Sequence, residues 1–304
     1  MEHNFKNSKV NRLKWYGGAN GNKIGISYQE NDYMLKFPPK PSKNKNMSYT
    51  NSCISEYIAC HIFQSLGINT QETLLGKYGD KITVACKDFT SGGFELKDFA
   101  QLKNTIIDSQ QNGYGTELND ILNTIHEQQI ISPVELEKFF WDMFIVDALL
   151  GNFDRHNGNW GFLVNYGTGE VKIAPIFDCG SCLYPQIEEK QMEYVLQDKK
   201  EIEKRIFVFP TSAIKVDEMK LNYFDFLNTT DNINCLKSLK DISNKIDMNK
   251  INSIIEGTPY ISEIHKRFLK TMVRQRKEQI IDKSLERIYD RKEKLKSRYR
   301  GYER

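Results

Sequence analysis

The sequence feature that most constrains the fold is a twelve-residue run, 139–150, in which nine side chains are large and apolar. A helix that is hydrophobic on every side has to be buried on every side. Ser132 and Glu135 stand upstream in the spacing of a capping box, which predicts a helix over Pro133–Leu150. Because 304 residues with 39% hydrophobic side chains can form a sizeable core, we expect this helix at the centre of a large helical lobe.

A polar loop of unusual composition, Gly151 to Asn159, follows the apolar helix and precedes two predicted strands, Trp160 to Asn165 and Val171 to Ala174. Asp178 comes directly after the second strand, within an Asp-x-Gly sequence. Functional side chains are often carried by loops that a rigid scaffold holds. We therefore expect the polar side chains of the loop and Asp178 to meet.

Three side chains in these segments have the chemistry of phosphoryl transfer. Asp154 precedes Asn159 by the spacing used in kinase catalytic loops, which predicts a carboxylate that orients the attacking hydroxyl and accepts its proton. Oxygen atoms are the ligands that Mg²⁺ prefers, so Asn159 and Asp178 are candidate metal ligands. An Asp and an Asn five residues apart are a weak signal alone, and the Asp-x-Gly sequence strengthens it.

The first ninety residues predict strands and one helix in the order β-β-α-β-β. The predicted elements are strands Lys23–Tyr28, Asp32–Phe37, Glu72–Tyr78 and Lys81–Lys87, with a helix over Thr50–Leu66. Beyond Gly92 and Gly93 the pattern becomes mainly helical, including a long charged helix after Ser262.

Lys36 and Glu56 are candidates for a cation on the nucleotide phosphates and its acidic partner. Lys36 is the only charged residue in its strand segment, although a half-buried lysine at a sheet edge would look the same. Glu56 lies about 140° around its helix from the predicted apolar stripe, which allows it to face a cleft or solvent.

Two backbone segments are candidates for nucleotide contacts. A glycine-rich stretch precedes the first strand and could bring main-chain N–H groups to phosphates, or could be a hairpin loop; its residues are Gly17, Gly18, Ala19, Asn20, Gly21, Asn22 and Lys23. The end of the fourth strand, at Ala85, Cys86 and Lys87, is where a hinge would bind adenine through its backbone. His156 could contact the nucleotide, but bracing the loop by hydrogen bonds is favoured, and Arg155 could pair with an acid or reach a phosphate.

Charge and hydropathy limit the partners and the membrane segments that the sequence predicts. Residues 1–49 hold nine basic against three acidic residues, residues 271–304 hold twelve against six, and the remainder holds 22 against 31. A net charge of +3 makes nucleic acid an unlikely partner, whereas the basic ends are compatible with an acidic partner or an anionic surface. No apolar run predicts a transmembrane helix or a signal peptide, so we expect synthesis in the cytoplasm.

The chain resembles the HipA-like serine/threonine kinases, whose catalytic loop is similar to that of phosphoinositide kinases. The segments 152–161 and 174–181 carry the resemblance, reading NFDRHNGNWG and APIFDCGS. The chain looks most similar to the compact bacterial branch called cell-translocating kinase A, over most residues between about 15 and 275. It differs from ordinary eukaryotic-type kinases in having Asn152-Phe153 before the Asp and Cys179 in the Asp-x-Gly.

The resemblance implies an α+β fold with two lobes and an ATP site in the cleft between them. The small, β-rich N-lobe would span residues 1–90 and the mainly helical C-lobe residues 91–304. It also implies ATP with Mg²⁺, transfer to serine or threonine of a protein substrate, autophosphorylation, and possible secretion without a signal peptide. By motif, Asp154 would be the base, Asn159 and Asp178 the metal ligands, and Lys36, paired with Glu56, the phosphate contact.

Two other functions are compatible with the same residues. The loop motif does not choose the acceptor, so a lipid or small-molecule kinase is the main alternative, and basic ends suit anionic headgroups. A nucleotide-binding interaction module is the second, although the intact set of Asp154, Asn159 and Asp178 favours an enzyme.

Overall fold

The computed structural model of the chain describes residues 2–14, 16, 23–39, 49–106 and 112–290. The strands in these ranges are β1 (His3–Asn4), β2 (Lys9–Val10), β3 (Lys23–Tyr28), β4 (Asn31–Lys36), β5 (Thr73–Tyr78), β6 (Lys81–Lys87), β7 (Phe94–Asp98), β8 (Gly161–Asn165), β9 (Glu170–Ile173), β10 (Lys215–Val216) and β11 (Met219–Lys220). The α-helices are α1 (Ser52–Ser65), α2 (Phe99–Ile106), α3 (Leu118–Glu127), α4 (Pro133–Leu150), α5 (Glu189–Gln197), α6 (Lys199–Phe207), α7 (Tyr223–Thr229), α8 (Ile233–Lys245), α9 (Met248–Glu256) and α10 (Glu263–Arg276). The predicted α+β class is confirmed.

Six strands near the N-terminus form one sheet in the order β1-β5-β6-β4-β3-β2. The predicted hairpin is present as β3 and β4. Tyr28 pairs with Asn31, so the turn between the strands has two residues. Gln29 and Glu30 both have positive φ, 48° and 63°, as the common two-residue hairpin turn requires. β6 lies between β4 and β5 and pairs with both, so it is a central strand.

Helix α1 packs against this sheet and is buried on two faces. Ile54, Ile58 and Ile62 form the predicted apolar stripe, and Gly67, at φ 76°, follows the helix end as a left-handed glycine. The side chain of Glu56 is 1% exposed. Because α1 is covered on both faces, Glu56 can be buried and still face a cleft.

Helix α4 is the buried centre of the helical part, as predicted. Thirteen of its eighteen residues are buried, and it packs against α3, α8 and α10. The predicted capping box is wrong, because the Ser132 side chain makes no capping hydrogen bond; Pro133, at the first helical position, starts the helix instead. Gly151 ends the helix at φ 64°, where a Cβ atom would lie 2.9 Å from Cγ of Pro210.

A second sheet of three strands, β7-β8-β9, lies next to the polar loop. The predicted strands β8 and β9 are present, whereas β7, directly before the helix α2, was not predicted. β7 pairs over all five residues with β8, from Phe94 with Asn165 to Asp98 with Gly161. Its partner is more than sixty residues away in sequence, so no local pattern reveals it.

The C-terminal part is mainly helical, as predicted, with one exception. The hairpin of β10 and β11 interrupts the helices between α6 and α7. Helix α10 continues through a π-helical segment, Lys277–Asp282, into helix at 283–290. Among the described residues, no helix is long and apolar enough to cross a membrane. The basic residues 291–304 lie outside the described ranges, and the division into lobes at residue 90 stays a prediction.

Candidate active site

A cleft of about 730 Å³ lies between the six-stranded sheet and the helical part. Five side chains predicted from the sequence for phosphoryl transfer line it: Lys36, Glu56, Asp154, Asn159 and Asp178. They come from β4, from α1, and from two loops that frame β8 and β9. Segments separated by more than a hundred residues therefore meet in one cavity.

Lys36, Glu56 and Asp178 form a group of ion pairs that we call the cleft cluster. The Lys36 Nζ atom lies 3.0 Å from Oε2 of Glu56 and 2.9 Å from Oδ1 of Asp178. The other Glu56 oxygen, Oε1, accepts a hydrogen bond from the backbone N–H of Cys179 at 3.1 Å. Glu56 thus binds both the lysine and the backbone next to Asp178, so helix α1 fixes their relative position.

The cleft cluster shifts the pKa of each of its members. Lys36 holds the pKa of Asp178 at about 2, well below its usual value. Burial alone would lower the pKa of Lys36, but the carboxylates of Asp178 and Glu56 outweigh it and raise the pKa. Burial raises the pKa of Glu56 against the opposing effect of Lys36. The arrangement thus keeps Lys36 and Asp178 charged at neutral pH.

Asp178 sits in backbone geometry that is uncommon for a residue other than glycine. Its φ angle is 55°, in the left-handed region. Its side chain is 42% exposed, although Lys36 and Glu56 beside it are nearly buried. Such strain persists only where the surroundings hold it, and it is concentrated at functional sites.

Beneath the cleft lies a second group of polar side chains, Asp147, Asn152 and Arg155, which we call the loop-base cluster. Arg155 Nε donates to Oδ2 of Asp147 at 3.0 Å, and Asn152 Nδ2 donates to the other carboxylate oxygen at 2.8 Å. All three residues are at most 2% exposed. Of the two roles predicted for Arg155, pairing with an acid is therefore the one that the geometry supports.

Arg155 also joins the polar loop to the segment that carries Asp178. Its Nη1 atom donates to the backbone oxygens of Asn159, at 2.8 Å, and of Phe177, at 2.6 Å. One buried guanidinium group therefore holds the backbone at Asn159 and directly before Asp178, the two candidate metal ligands. Asp147 was not predicted, and the only signal for it was a carboxylate in an otherwise apolar stretch of helix.

Hydrogen bonds within the loop position the backbone of Asp154 and the side chain of Asn159. Asn152 Oδ1 accepts from the backbone N–H of Asp154 at 3.0 Å, and Asn159 Nδ2 donates to the backbone oxygen of Asp154 at 2.8 Å. Burial raises the pKa of Asp154, opposed by the positive charges of Arg155 and Lys220. The Asp154 carboxylate itself is 45% exposed to the cleft.

The donor set suits Mg²⁺ held jointly with a nucleotide. Because Nδ2 of Asn159 is used within the loop, the atom left for a ligand is an amide oxygen, and Asp178 adds a carboxylate oxygen. Across the described ranges, no three His, Cys, Asp or Glu side chains come together to hold a metal by themselves. An Asn and an Asp completed by phosphate oxygens match the usual ligation of Mg²⁺ in nucleotide enzymes.

His156 braces the loop, as favoured from the sequence. Its Nδ1 atom accepts from the backbone N–H of Gly158 at 3.0 Å, and its Nε2 atom lies 3.9 Å from Oδ1 of Asp154. A ring nitrogen that accepts carries no proton, which leaves the proton of the neutral ring on Nε2, facing Asp154.

The nucleotide loop is only partly described. Gly17, Gly18, Ala19, Asn20, Gly21 and Asn22 lie outside the described residues. Lys23 pairs directly with Lys36 across β3 and β4 and lines the cleft. Burial and the charge of Lys36 lower the pKa of Lys23. Two lysines therefore lie side by side at the cleft, next to the carboxylates of Glu56 and Asp178.

The adenine contact at Ala85, Cys86 and Lys87 stays a prediction. These three residues are not among those that line the cleft, although Val84 of the same strand is. The main chain of β6 pairs with strands on both sides. The backbone N–H of Lys87 donates to Glu72 O, and its carbonyl accepts from Gln71 Nε2. Asp88, Phe89 and Thr90, which follow the strand, line the cleft instead.

Aromatic side chains that the sequence reasoning missed line the same end of the cleft. The rings of Phe89 and Phe177 lie 5.9 Å apart, and both border the cavity with Tyr16. The Tyr16 hydroxyl donates to Asp88, which also pairs with Lys14 at 2.7 Å. Flat apolar surfaces beside a strand end are suited to holding a nucleotide base.

Comparison with known proteins gives a consistent result. Residues 15–256 match the family model described as HipA-like C-terminal domain. The chain is 57% identical over 279 residues to serine/threonine-protein kinase CtkA of Helicobacter pylori strain J99, covering 91% of this chain and 86% of that protein.

Solved structures match the fold. The crystal structure of the Helicobacter pylori proinflammatory kinase CtkA matches with a TM-score of 0.91 and 55% identity, covering 95% of this chain and 98% of that one. HipA of Shewanella oneidensis MR-1, solved with HipB and operator DNA, matches with a TM-score of 0.56 and 15% identity, covering 90% and 68%. The second likeness concerns the fold alone, and together they confirm the predicted kinase-like architecture.

Proposed function

The chain belongs to the family with a HipA-like C-terminal domain and is a serine/threonine protein kinase, and we propose that it uses ATP with Mg²⁺ held in the cleft. The observation that carries this proposal is the meeting of the cleft cluster with Asp154 and Asn159 in one cavity. Catalysis of phosphoryl transfer is mostly positioning and charge stabilisation, which these fixed side chains supply.

Each side chain has a distinct role in the proposal. Asp154 orients the acceptor hydroxyl and receives its proton. Lys36 contacts the nucleotide phosphates and is kept in place by Glu56. Asn159 and Asp178 would hold Mg²⁺, which would neutralise negative charge on the phosphates. Phosphates arriving beside Lys36 compete with Asp178 for its ammonium group, so ligand binding rearranges the cleft cluster.

Two parts of the proposal rest on the resemblance of the loop motifs alone. These are autophosphorylation and action outside the cell in which the protein is made. The substrate is a protein, since the family relative is a serine/threonine-protein kinase. Mapping of phosphorylated sites is therefore built into the test.

The test is transfer from γ-labelled ATP by the purified wild type and by Asp178→Ala, each with and without Mg²⁺. Asp241→Ala, which removes an exposed carboxylate on α8, is the matched control. We expect label on serine or threonine in the wild type and the control, only with Mg²⁺, and none in Asp178→Ala. Label found in lipid but never in protein, or ATP bound without any transfer, would contradict the proposal.

A further inference from the structure

The hairpin of β10 and β11 stands beside the catalytic loop and is fixed to it by hydrogen bonds. Asn157, in the loop, donates from Nδ2 to the backbone oxygen of Gly115 at 2.8 Å. The next residue, Thr116, donates its hydroxyl to Ala213 O at 2.7 Å and accepts from the backbone N–H of Lys215 at 2.9 Å. The start of the hairpin therefore moves with the catalytic loop.

The far end of the hairpin is fixed to the same loop. Tyr223, three residues after β11, donates its hydroxyl to the backbone oxygen of Asn152 at 2.6 Å and is 1% exposed. Asn152 in turn accepts from the backbone N–H of Asp154. Anchored at both ends, the hairpin is a rigid extension of the loop that carries the proposed base.

The outer edge of this hairpin has no strand partner among the described residues. Ile214 and Leu221 are hydrogen-bonded to each other, and in an antiparallel pair the next couple, Lys215 and Lys220, must point its N–H and C=O groups outward. The outward N–H of Lys215 is used by Thr116, whereas no main-chain partner for Lys220 occurs in the part of the chain that the structure describes. Met219 is 72% exposed, and Lys220 is exposed as well.

This edge carries a positive charge close to the proposed base. Lys220 is near enough to Asp154 to affect the ionisation of its carboxyl group. The described residues offer the Lys220 ammonium group no ion pair. An acceptor whose hydroxyl lies at Asp154 would therefore pass alongside an exposed lysine and an open strand edge.

We propose that β11 is the docking strand for the protein substrate, which adds an extended segment to the edge at Lys220 and places an acidic side chain, next to its serine or threonine, against the Lys220 ammonium group. Main-chain hydrogen bonds would supply affinity and the lysine would supply sequence preference, as in other cases of strand addition. This inference rests on the proposed protein kinase function.

The first part of the test uses synthetic serine peptides that differ only in the residue beside the serine, which is Glu, Ala or Lys. We expect the Glu peptide to have the lowest KM. An ion pair at an exposed site corresponds to roughly a fivefold change in an equilibrium constant. Lys220→Glu should raise the KM for the Glu peptide and lower it for the Lys peptide, reversing the preference. Lys237→Glu, an exposed lysine on α8, is the matched control and should keep the wild-type preference.

The second part separates the side chain from the main chain of the docking strand. Lys220→Ala removes only the side chain, so it should abolish the preference among the three peptides. Lys220→Pro also removes the outward N–H, which an edge strand tolerates, and should raise the KM for all three peptides beyond the level of Lys220→Ala. The KM for ATP and the unfolding transition of each variant are measured alongside, to detect damage to the nucleotide site or the fold.

The outcomes separate this inference from the function on which it rests. Equal KM values for the three peptides, or a preference that Lys220→Glu leaves unchanged, would overturn the docking strand while phosphorylation itself continues. Lys220→Pro that matches Lys220→Ala would overturn strand addition. Absence of transfer to any peptide or protein by the wild type would instead overturn the proposed kinase chemistry.

Discussion

Two groups of ion pairs hold the segment that carries Asp178, and they differ in how completely the protein satisfies them. In the loop-base cluster, Arg155 donates to Asp147 and to the backbone oxygens of Asn159 and Phe177, and every member of the cluster is buried. In the cleft cluster, Lys36 bonds to Glu56 and to Asp178, whose side chain is 42% exposed. Acidic and basic side chains thus form a closed framework in one place and an open, ligand-accessible group in the other.

This difference divides the expected effects of substitutions. Removing a cleft-facing group should affect turnover or ligand binding, because the partners that it leaves behind can bind solvent or a ligand instead. Removing a framework group should affect folding, because it leaves buried polar atoms without partners.

The largest effect is expected for Asp154→Ala, which removes the proposed base from the cleft side of the loop. We expect kcat to fall by ~10²–10⁴-fold, or about 3–5 kcal/mol in the barrier, as is usual for loss of a general base. The unfolding midpoint should stay close to that of the wild type. Steady-state transfer from labelled ATP and chemical unfolding measure the two quantities, and a folded Asp154→Ala protein with wild-type turnover would refute the assignment.

Arg155→Leu is the matching change in the framework. It leaves the Asp147 carboxylate buried without its cation, which costs about 3–5 kcal/mol in the free energy of unfolding when a buried pair is broken. Lys199→Leu is the control, because Lys199 is 89% exposed and its ion pair with Glu203 lies at the surface. Urea unfolding measures the free energy of unfolding of both variants. Equal stability of Arg155→Leu and Lys199→Leu would contradict the proposed difference between the two clusters.

How far the sequence predicts these two clusters depends on whether a signal is local. The loop residues Asp154 and Asn159 and the strand-borne Asp178 have a recognisable spacing, and the helical position of Glu56 allowed a cleft-facing carboxylate. The partner of Arg155 could not be predicted, because Asp147 lies in a helix where only tertiary packing decides which polar group is tolerated. The surroundings of the strand end at Ala85, Cys86 and Lys87 could not be predicted either, because they depend on the order of the strands in the sheet.

A third prediction uses pH to test a buried histidine that lies outside the active site. Burial lowers the pKa of His265 to about 4 from its ordinary value of 6.5. Between these values the unfolded chain binds a proton that the folded one does not, so the free energy of unfolding falls as the pH drops from 6.5 to 4. The loss amounts to about 3 kcal/mol at most.

The measurement is urea unfolding of the wild type and His265→Gln at pH 7 and pH 4.5. Other groups also titrate in this range, so the difference between the two proteins is the relevant quantity. The wild type should lose more stability than the variant. Equal losses would show that His265 is not held in its neutral form.

The smallest effects concern helix caps, where the same distinction between satisfied and unsatisfied groups applies. Asp247 accepts from two backbone N–H groups at the start of α9, and Asp247→Ala should cost about 1 kcal/mol. Ser132 makes no capping bond, so Ser132→Ala should cost less than about 0.5 kcal/mol. Thermal unfolding of the two variants compares them directly, and a greater loss for Ser132→Ala would contradict the reported cap geometry.

The most direct test of an open cleft cluster is the effect of Mg²⁺ on stabilisation by ATP in the wild type and Asp178→Ala. A ligand at a hundred times its Kd stabilises the folded state by about 2.7 kcal/mol. We predict that Mg²⁺ increases the stabilisation by ATP in the wild type and adds nothing in Asp178→Ala. An equal contribution of Mg²⁺ in both proteins would contradict the role of Asp178 as the group that opens to the ligand.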